Sequence, residues 1–220
     1  MIPVHILKNG NVQDLRYGEV YETILEVCRE HIEQQRAIAF AFILYNHENP
    51  HLLKILHDRD YWDSLDKISG NLLTVFHFYR HEENFGQELI DSDGNEKRGL
   101  HGISMNEMLI PMIKNHLNYV QPIKLPTILF FQTDGSMMID YFFVKLKADK
   151  IEEGFLELKD YIKAAVSELE NILPENYENK KEIFNILKMG VKANEFTKNV
   201  SRGPQNFPLK LFVNWLTSLV

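Results

Sequence analysis

Two short apolar runs set the strongest limit on what this chain can fold into. Arg36 to Asn46 reads Arg-Ala-Ile-Ala-Phe-Ala-Phe-Ile-Leu-Tyr-Asn, and Leu72 to Tyr79 reads Leu-Leu-Thr-Val-Phe-His-Phe-Tyr. The first does not alternate with polar residues, so it suits a strand covered on both faces; the other reads as a further central strand. Between them, Pro50 opens a helical stretch to about Ser69, with Asn49 as its cap and Gly70 as its stop. A strand, a helix and another buried strand make a βαβ unit, whose right-handed crossover sets the two strands parallel. The pattern therefore predicts an α/β fold with a central sheet flanked by helices.

The rest of the chain adds elements around this unit. A short strand is expected at Val4 to Leu7. An amphipathic helix is expected from Gly18 to Gln35, with Val20, Ile24, Val27, Cys28 and Ile32 at helical spacing. Residues 80–104 are polar and rich in turn residues, and read as an irregular insertion. Helix resumes from Met105 to Tyr119. Pro126 opens a strand, Thr127 to Gln132, and Asp134-Gly135 turns it into a returning strand from Met137 to Lys147, a β-hairpin. A long amphipathic helix follows from Lys150 to Leu173. Two more helices, Pro174 to Gly190 and Phe207 to Val220, are expected around a polar link at 192–208. This divides the chain into a domain at 1–173 and a helical extension at 174–220.

Composition narrows the function classes. Lys plus Arg is 24 and Asp plus Glu is 31, a formal net charge of −7, so nothing global draws the chain to nucleic acid or anionic lipid. Its one cysteine, Cys28, forms no intrachain disulfide and argues for a reducing compartment. Cys28 sits on the apolar face of its helix and reads as a buried small hydrophobe. The N-terminal residues do not make a signal peptide, and the run Ala37 to Tyr45 is about half the ~20 residues a membrane helix needs. The expectation is a soluble, cytoplasmic protein with no membrane or nucleic-acid partner.

Two segments carry the functional signal. One is Phe42-Ile43-Leu44-Tyr45-Asn46-His47-Glu48-Asn49-Pro50-His51, where a strand hands over to a helix. The other is Leu125-Pro126-Thr127-Ile128-Leu129-Phe130-Phe131, a proline at the head of a buried strand. Together with the order helix–strand–helix–strand–helix–hairpin–helix over roughly residues 20–172, these resemble the thioredoxin fold. Residues 42–51 resemble that family's active-site turn, with Glu48 and His51 where its two cysteines stand and Pro50 at the intervening proline. Residues 125–131 are similar to the loop whose cis-proline faces the turn. UAS-type thioredoxin-like domains, which also lack the redox pair, are a more distant likeness. The chain departs from the family at those cysteines, in the 80–104 insertion and in the helical tail.

Without a thiol at either position, dithiol–disulfide exchange at this turn is excluded, because that step needs a thiolate. The resemblance still implies a groove in which backbone beside the proline pairs with an extended peptide. Its residues would be Asn46, His47, Glu48, Asn49, Pro50, His51, Leu125, Pro126 and Thr127.

His47-Glu48-Asn49-Pro50-His51 also spells H-E-x-x-H. A zinc peptidase needs that pattern within one continuous helix, and Pro50 between the histidines would cost about 3 kcal/mol there. A looser metal site would have to recruit His77 or His81. The plainer reading makes Glu48 a favourable charge near a helix start and His51 a surface residue. Asp91, Asp93 and Asn95 begin like a calcium loop, but Glu96 stands where the glycine belongs and Gly102 where the bidentate Glu belongs.

The leading expectation is therefore a non-redox thioredoxin-like binding or adaptor module for a protein or peptide, with no cofactor. The alternatives use the same cleft for catalysis: a glutathione-dependent transferase, or a metal-dependent hydrolase at His47, Glu48 and His51. The apolar face of the expected last helix, with Phe212, Trp215, Leu216 and Leu219, would cover the chain's own core or pair with another copy.

Overall fold

The computed structural model describes residues 2–4, 17–46, 49–78, 89–90, 96–97, 105–147 and 149–202. The elements are β1 (Ile2–Val4), α1 (Tyr17–Glu33), β2 (Ala39–Leu44), α2 (Pro50–His57), α3 (Arg59–Ser69) and β3 (Leu73–Phe78). Then come β4 (Leu89–Ile90), β5 (Glu96–Lys97), α4 (Met105–Leu117), β6 (Thr127–Thr133), β7 (Met138–Lys145), α5 (Ile151–Leu169), a 3-10 turn at Pro174–Asn176 and α6 (Lys180–Arg202). Five strands form one mixed sheet in the order β1-β3-β2-β6-β7, and β4 pairs with β5 in a separate two-stranded ribbon. β1, β3 and β2 run parallel, while β6 is antiparallel to β2 and β7 to β6.

The central strand β2 is buried at every position, which accounts for its unbroken apolar run. Its two faces nonetheless differ by the strand's period of two. Ala39, Ala41 and Ile43 join the core formed with α2, α3, α5 and α6. Phe40, Phe42 and Leu44 join the core formed with α1 and α4. Two alanines thus lie toward the more heavily covered face, and Phe40 and Phe42 pack against Phe76 and Phe131 in the core shared with α1.

Several expectations change. The helix expected from Pro50 to Ser69 is two helices. Asp58 adopts an extended conformation (φ −83, ψ 122) and its carboxylate accepts the Asp60 amide at 3.0 Å, so it closes α2 and caps α3. The helix expected to stop at Gly190 runs on to Arg202, across the first part of the expected polar link. The first strand begins at Ile2. Of the expected insertion 80–104, β4 and β5 are described and the rest lies outside the described residues, as do the calcium-like turn at 91–95, His81 and the expected last helix at 207–220.

Gly70 does end α3, with φ +55, and the β6–β7 hairpin turns at Gly135, with φ +90. Arg29 holds that turn by donating two hydrogen bonds to the Gly135 carbonyl, at 2.9 and 3.2 Å. α6 belongs to the same core as the sheet, through Ile183, Phe184, Leu187 and Val191. Among the described residues, no helix is long and apolar enough to cross a membrane.

Candidate functional site

The antiparallel register of β2 and β6 is what brings the two sequence segments together. Leu44, the last residue of β2, stands opposite Thr127, the first of β6. The chain leaving β2 at Tyr45 and Asn46 therefore passes the chain arriving at β6 through Leu125 and Pro126. Asn46, Asn49, Pro50, Leu125 and Pro126 line one open hollow of about 300 Å³ at this junction.

Local hydrogen bonds fix both walls. On one wall, the Asn49 amide donates to the Asn46 carbonyl at 2.8 Å. The Asn49 side-chain oxygen accepts the amides of His51 and Leu52 at 3.1 and 3.0 Å, so Asn49 caps α2 with Pro50 at its first turn. On the opposite wall, the Leu125–Pro126 peptide bond is cis. The Pro126 carbonyl accepts the Leu146 amide at 3.0 Å, and the Thr127 hydroxyl donates to the Val144 carbonyl at 2.7 Å. Among the described residues, the amide and carbonyl of Leu125 make no hydrogen bond.

The expected site residues fall into three groups. Asn46, Asn49, Pro50, Leu125 and Pro126 meet at the hollow. His51 lies one residue into α2, half-buried, and Thr127 is buried with its hydroxyl committed to the neighbouring strand. His47 and Glu48 lie outside the described residues. Tyr45 is buried, and that burial pushes its phenol well above the ordinary range.

Cys28 lies on α1, and none of the residues that line the hollow is on that helix. It is fully buried in the core under α1, and burial raises its thiol far above the usual range, so thiolate chemistry is suppressed there. His77, one of the histidines a metal site would need, is buried on β3, and its Nε2 accepts the Trp62 indole N–H at 2.9 Å. Among the described residues, no group of three or more His, Cys, Asp or Glu side chains is placed to hold a metal ion.

Sequence reasoning missed three exposed lysines around the proline wall: Lys124 before Leu125, and Lys145 and Lys147 on the return strand. The register identifies them, because Lys145 stands opposite Thr127 and Leu146 pairs with Pro126. The hairpin signal at Asp134-Gly135 does not supply that register, because a bulge between Gln132 and Thr133 shifts the pairing by one residue beyond the turn. Comparisons of the chain with protein-family models, with curated proteins and with solved structures return no match.

Proposed function

We propose that this chain is a non-redox, thioredoxin-like binding module that docks an extended protein or peptide segment at the junction of residues 46–50 and 125–126. The fold reading is supported by the strand order β1-β3-β2-β6-β7, with the first three parallel and β6 and β7 antiparallel, and by α1 and α4 covering one face while α2, α3 and α5 cover the other. One observation carries the functional reading. The two segments picked out by their likeness to that family's turn and proline loop line a single hollow. Among the described residues the Leu125 amide and carbonyl make no hydrogen bond, which supports a donor and an acceptor for an incoming strand, the mode in which main-chain bonds supply affinity and side-chain pockets supply selectivity. The lone buried cysteine suits a reducing, cytoplasmic setting.

The test is selection of binders from a random peptide display library, followed by backbone amide NMR of the full chain with the selected peptides. The expected result is chemical-shift change concentrated at residues 44–53 and 123–128. Selected peptides that shift amides elsewhere, or a library that yields no binder, would overturn the reading.

A further inference from the structure

The tip of the β6–β7 hairpin joins two residues whose chemistry is at odds with a long-lived backbone. Gly135 has φ +90, a region that L side chains rarely adopt, and Arg29 Cγ stands 3.5 Å from where a Cβ would lie, so the turn calls for glycine. Asp134 precedes it. Its Oδ1 accepts the Ser136 amide at 2.8 Å, the Ser136 hydroxyl at 2.7 Å and the Met137 amide at 2.9 Å, so the turn calls for aspartate as well. Asp-Gly is also the dipeptide in which a backbone nitrogen most readily attacks the preceding carboxyl group, because glycine has no Cβ to obstruct the approach.

The reaction is a condensation. The Gly135 nitrogen forms a bond to Asp134 Cγ and loses its proton, while the carboxyl C–OH bond breaks and the oxygen leaves as water. The product is a five-membered succinimide. Water then adds to one of the two ring carbonyls. Opening at the main-chain carbonyl leaves the chain running through Cγ, an isoaspartate with an extra backbone methylene and no net change of mass.

Each reacting group is held away from that step. The Gly135 N–H donates to Thr133 Oγ1 at 2.9 Å, and Thr133 is fully buried. The same hydroxyl donates to the Met137 carbonyl at 2.7 Å, which fixes the direction of its lone pairs. Thr133 is anchored in turn: its amide donates to Gln132 Oε1 at 3.0 Å, and Gln132 Nε2 donates to the Ile38 carbonyl at 2.8 Å. The donors on Asp134, the Ser136 hydroxyl first, hold its carboxyl below the usual carboxylate range. It stays ionised, the form in which the oxygen is a poor leaving group. Asp134 is exposed, so hydrogen bonding and not burial is what restrains its carboxylate.

We infer that Asp134-Gly135 is a latent isoaspartate site, held unreacted by the Thr133 hydroxyl on the nitrogen and the Ser136 donors on the carboxylate, and freed when the hairpin tip opens. Conversion would break the tie between α1 and the hairpin, because the added methylene displaces the Gly135 carbonyl from the two hydrogen bonds that Arg29 donates.

The test incubates the intact chain for weeks at neutral pH, in buffer and in denaturing urea, and measures isoaspartate at residue 134 by peptide mapping with electron-transfer fragmentation. In buffer the wild type is expected to convert at less than about one-tenth of the urea rate, because only the open fraction reacts. Thr133→Val keeps the shape and removes the hydroxyl; it is expected to raise the rate in buffer about fivefold or more, the scale of a lost hydrogen bond. Thr133→Ser keeps the hydroxyl and should stay near wild type. Ser136→Ala removes an exposed donor to Asp134 and should give a smaller rise. Ile183→Val loosens the core under α6 without touching the turn and should leave the rate unchanged. Circular dichroism verifies that each variant is folded in buffer.

Equal wild-type rates in buffer and urea would overturn the inference, since the folded turn would then give no protection. So would Thr133→Val converting no faster than wild type, or Thr133→Ser converting as fast as Thr133→Val. A rise in Ile183→Val equal to that in Thr133→Val would assign the protection to overall stability and overturn the local lock. If Thr133→Val does not fold, a Ser136→Ala rate equal to wild type overturns the lock in its place. No isoaspartate at residue 134 in urea, once Asp93-Gly94 of the same chain has converted there, would overturn the site itself.

Discussion

His31 and His77 are polar side chains buried against opposite faces of the sheet. The His31 Nδ1 lies 2.7 Å from the Thr74 hydroxyl on the α1 side, and His77 accepts from Trp62 of α3 on the other. Each ties a helix to β3 through a group that would be costly to bury without a partner. Burial, followed by the nearby Arg36 charge, lowers the His31 pKa below its ordinary value. An unfolded chain takes up that proton near pH 6.5, and the native state does so only at lower pH. The unfolded state therefore binds more protons in this window, and the His31 contribution to stability is complete above about pH 6.5 and declines as pH falls toward the depressed native value. Urea denaturation of wild type and His31→Gln between about pH 7.5 and pH 5 checks this, because histidine carries its charge change through that range. The wild type should lose more stability on acidification than the variant; parallel curves would contradict the assignment.

At the scale of elements, the sequence is legible where a stop or start is local. Asn49-Pro50 opens α2, Gly70 closes α3, and Asp134-Gly135 turns the hairpin, because each signal is a backbone preference of the residue itself. It misleads where tertiary packing reuses the same residue types. Asp58 reads as one more polar helical position, whereas its extended backbone and side-chain cap split the helix in two. Gly190 reads as a terminator, whereas it is where α6 passes close to α5. A Cβ placed on it would lie 2.0 Å from Glu168 Cγ. Helix propensity favours Ala over Gly by about 1 kcal/mol, but Gly190→Ala must first displace Glu168 from its rotamer. Gly190→Ala is therefore expected to bring no gain in wild type, and to stabilise a Glu168→Ala background by about 0.5–1 kcal/mol. Chemical denaturation of the four proteins in that cycle measures the coupling. Additive effects would mean that the close approach does not govern this position.

Across the whole molecule, the two-faced core explains why fold class is readable and the site only half so. The unbroken apolar runs report a sheet covered on both sides, and β2 has helices on both faces. The walls of the hollow are readable because a capped helix start and a strand-opening proline are local patterns. The lysines at its edge are not, since their position depends on strand register, which no short window contains. The place of α6 is hidden for the same reason: its apolar stripe does not say what it covers. In the fold, Phe184 is fully buried and its ring lies 5.5 Å from that of Phe142 on β7, so α6 completes the core over the hairpin that carries Pro126. If α6 is part of one cooperative unit, Phe184→Ala should cost about 3–5 kcal/mol, the usual range for emptying a buried aromatic site. The loss should fall on the whole molecule, with far-ultraviolet circular dichroism and, in a Trp215→Phe background that leaves Trp62 as the reporter, fluorescence giving a single shared transition at lower denaturant. If instead α6 is an appendage on an independently stable domain, part of the helical signal will melt early while the fluorescence midpoint stays where it is in wild type. That outcome would separate residues 180–202 from the core that holds the hollow.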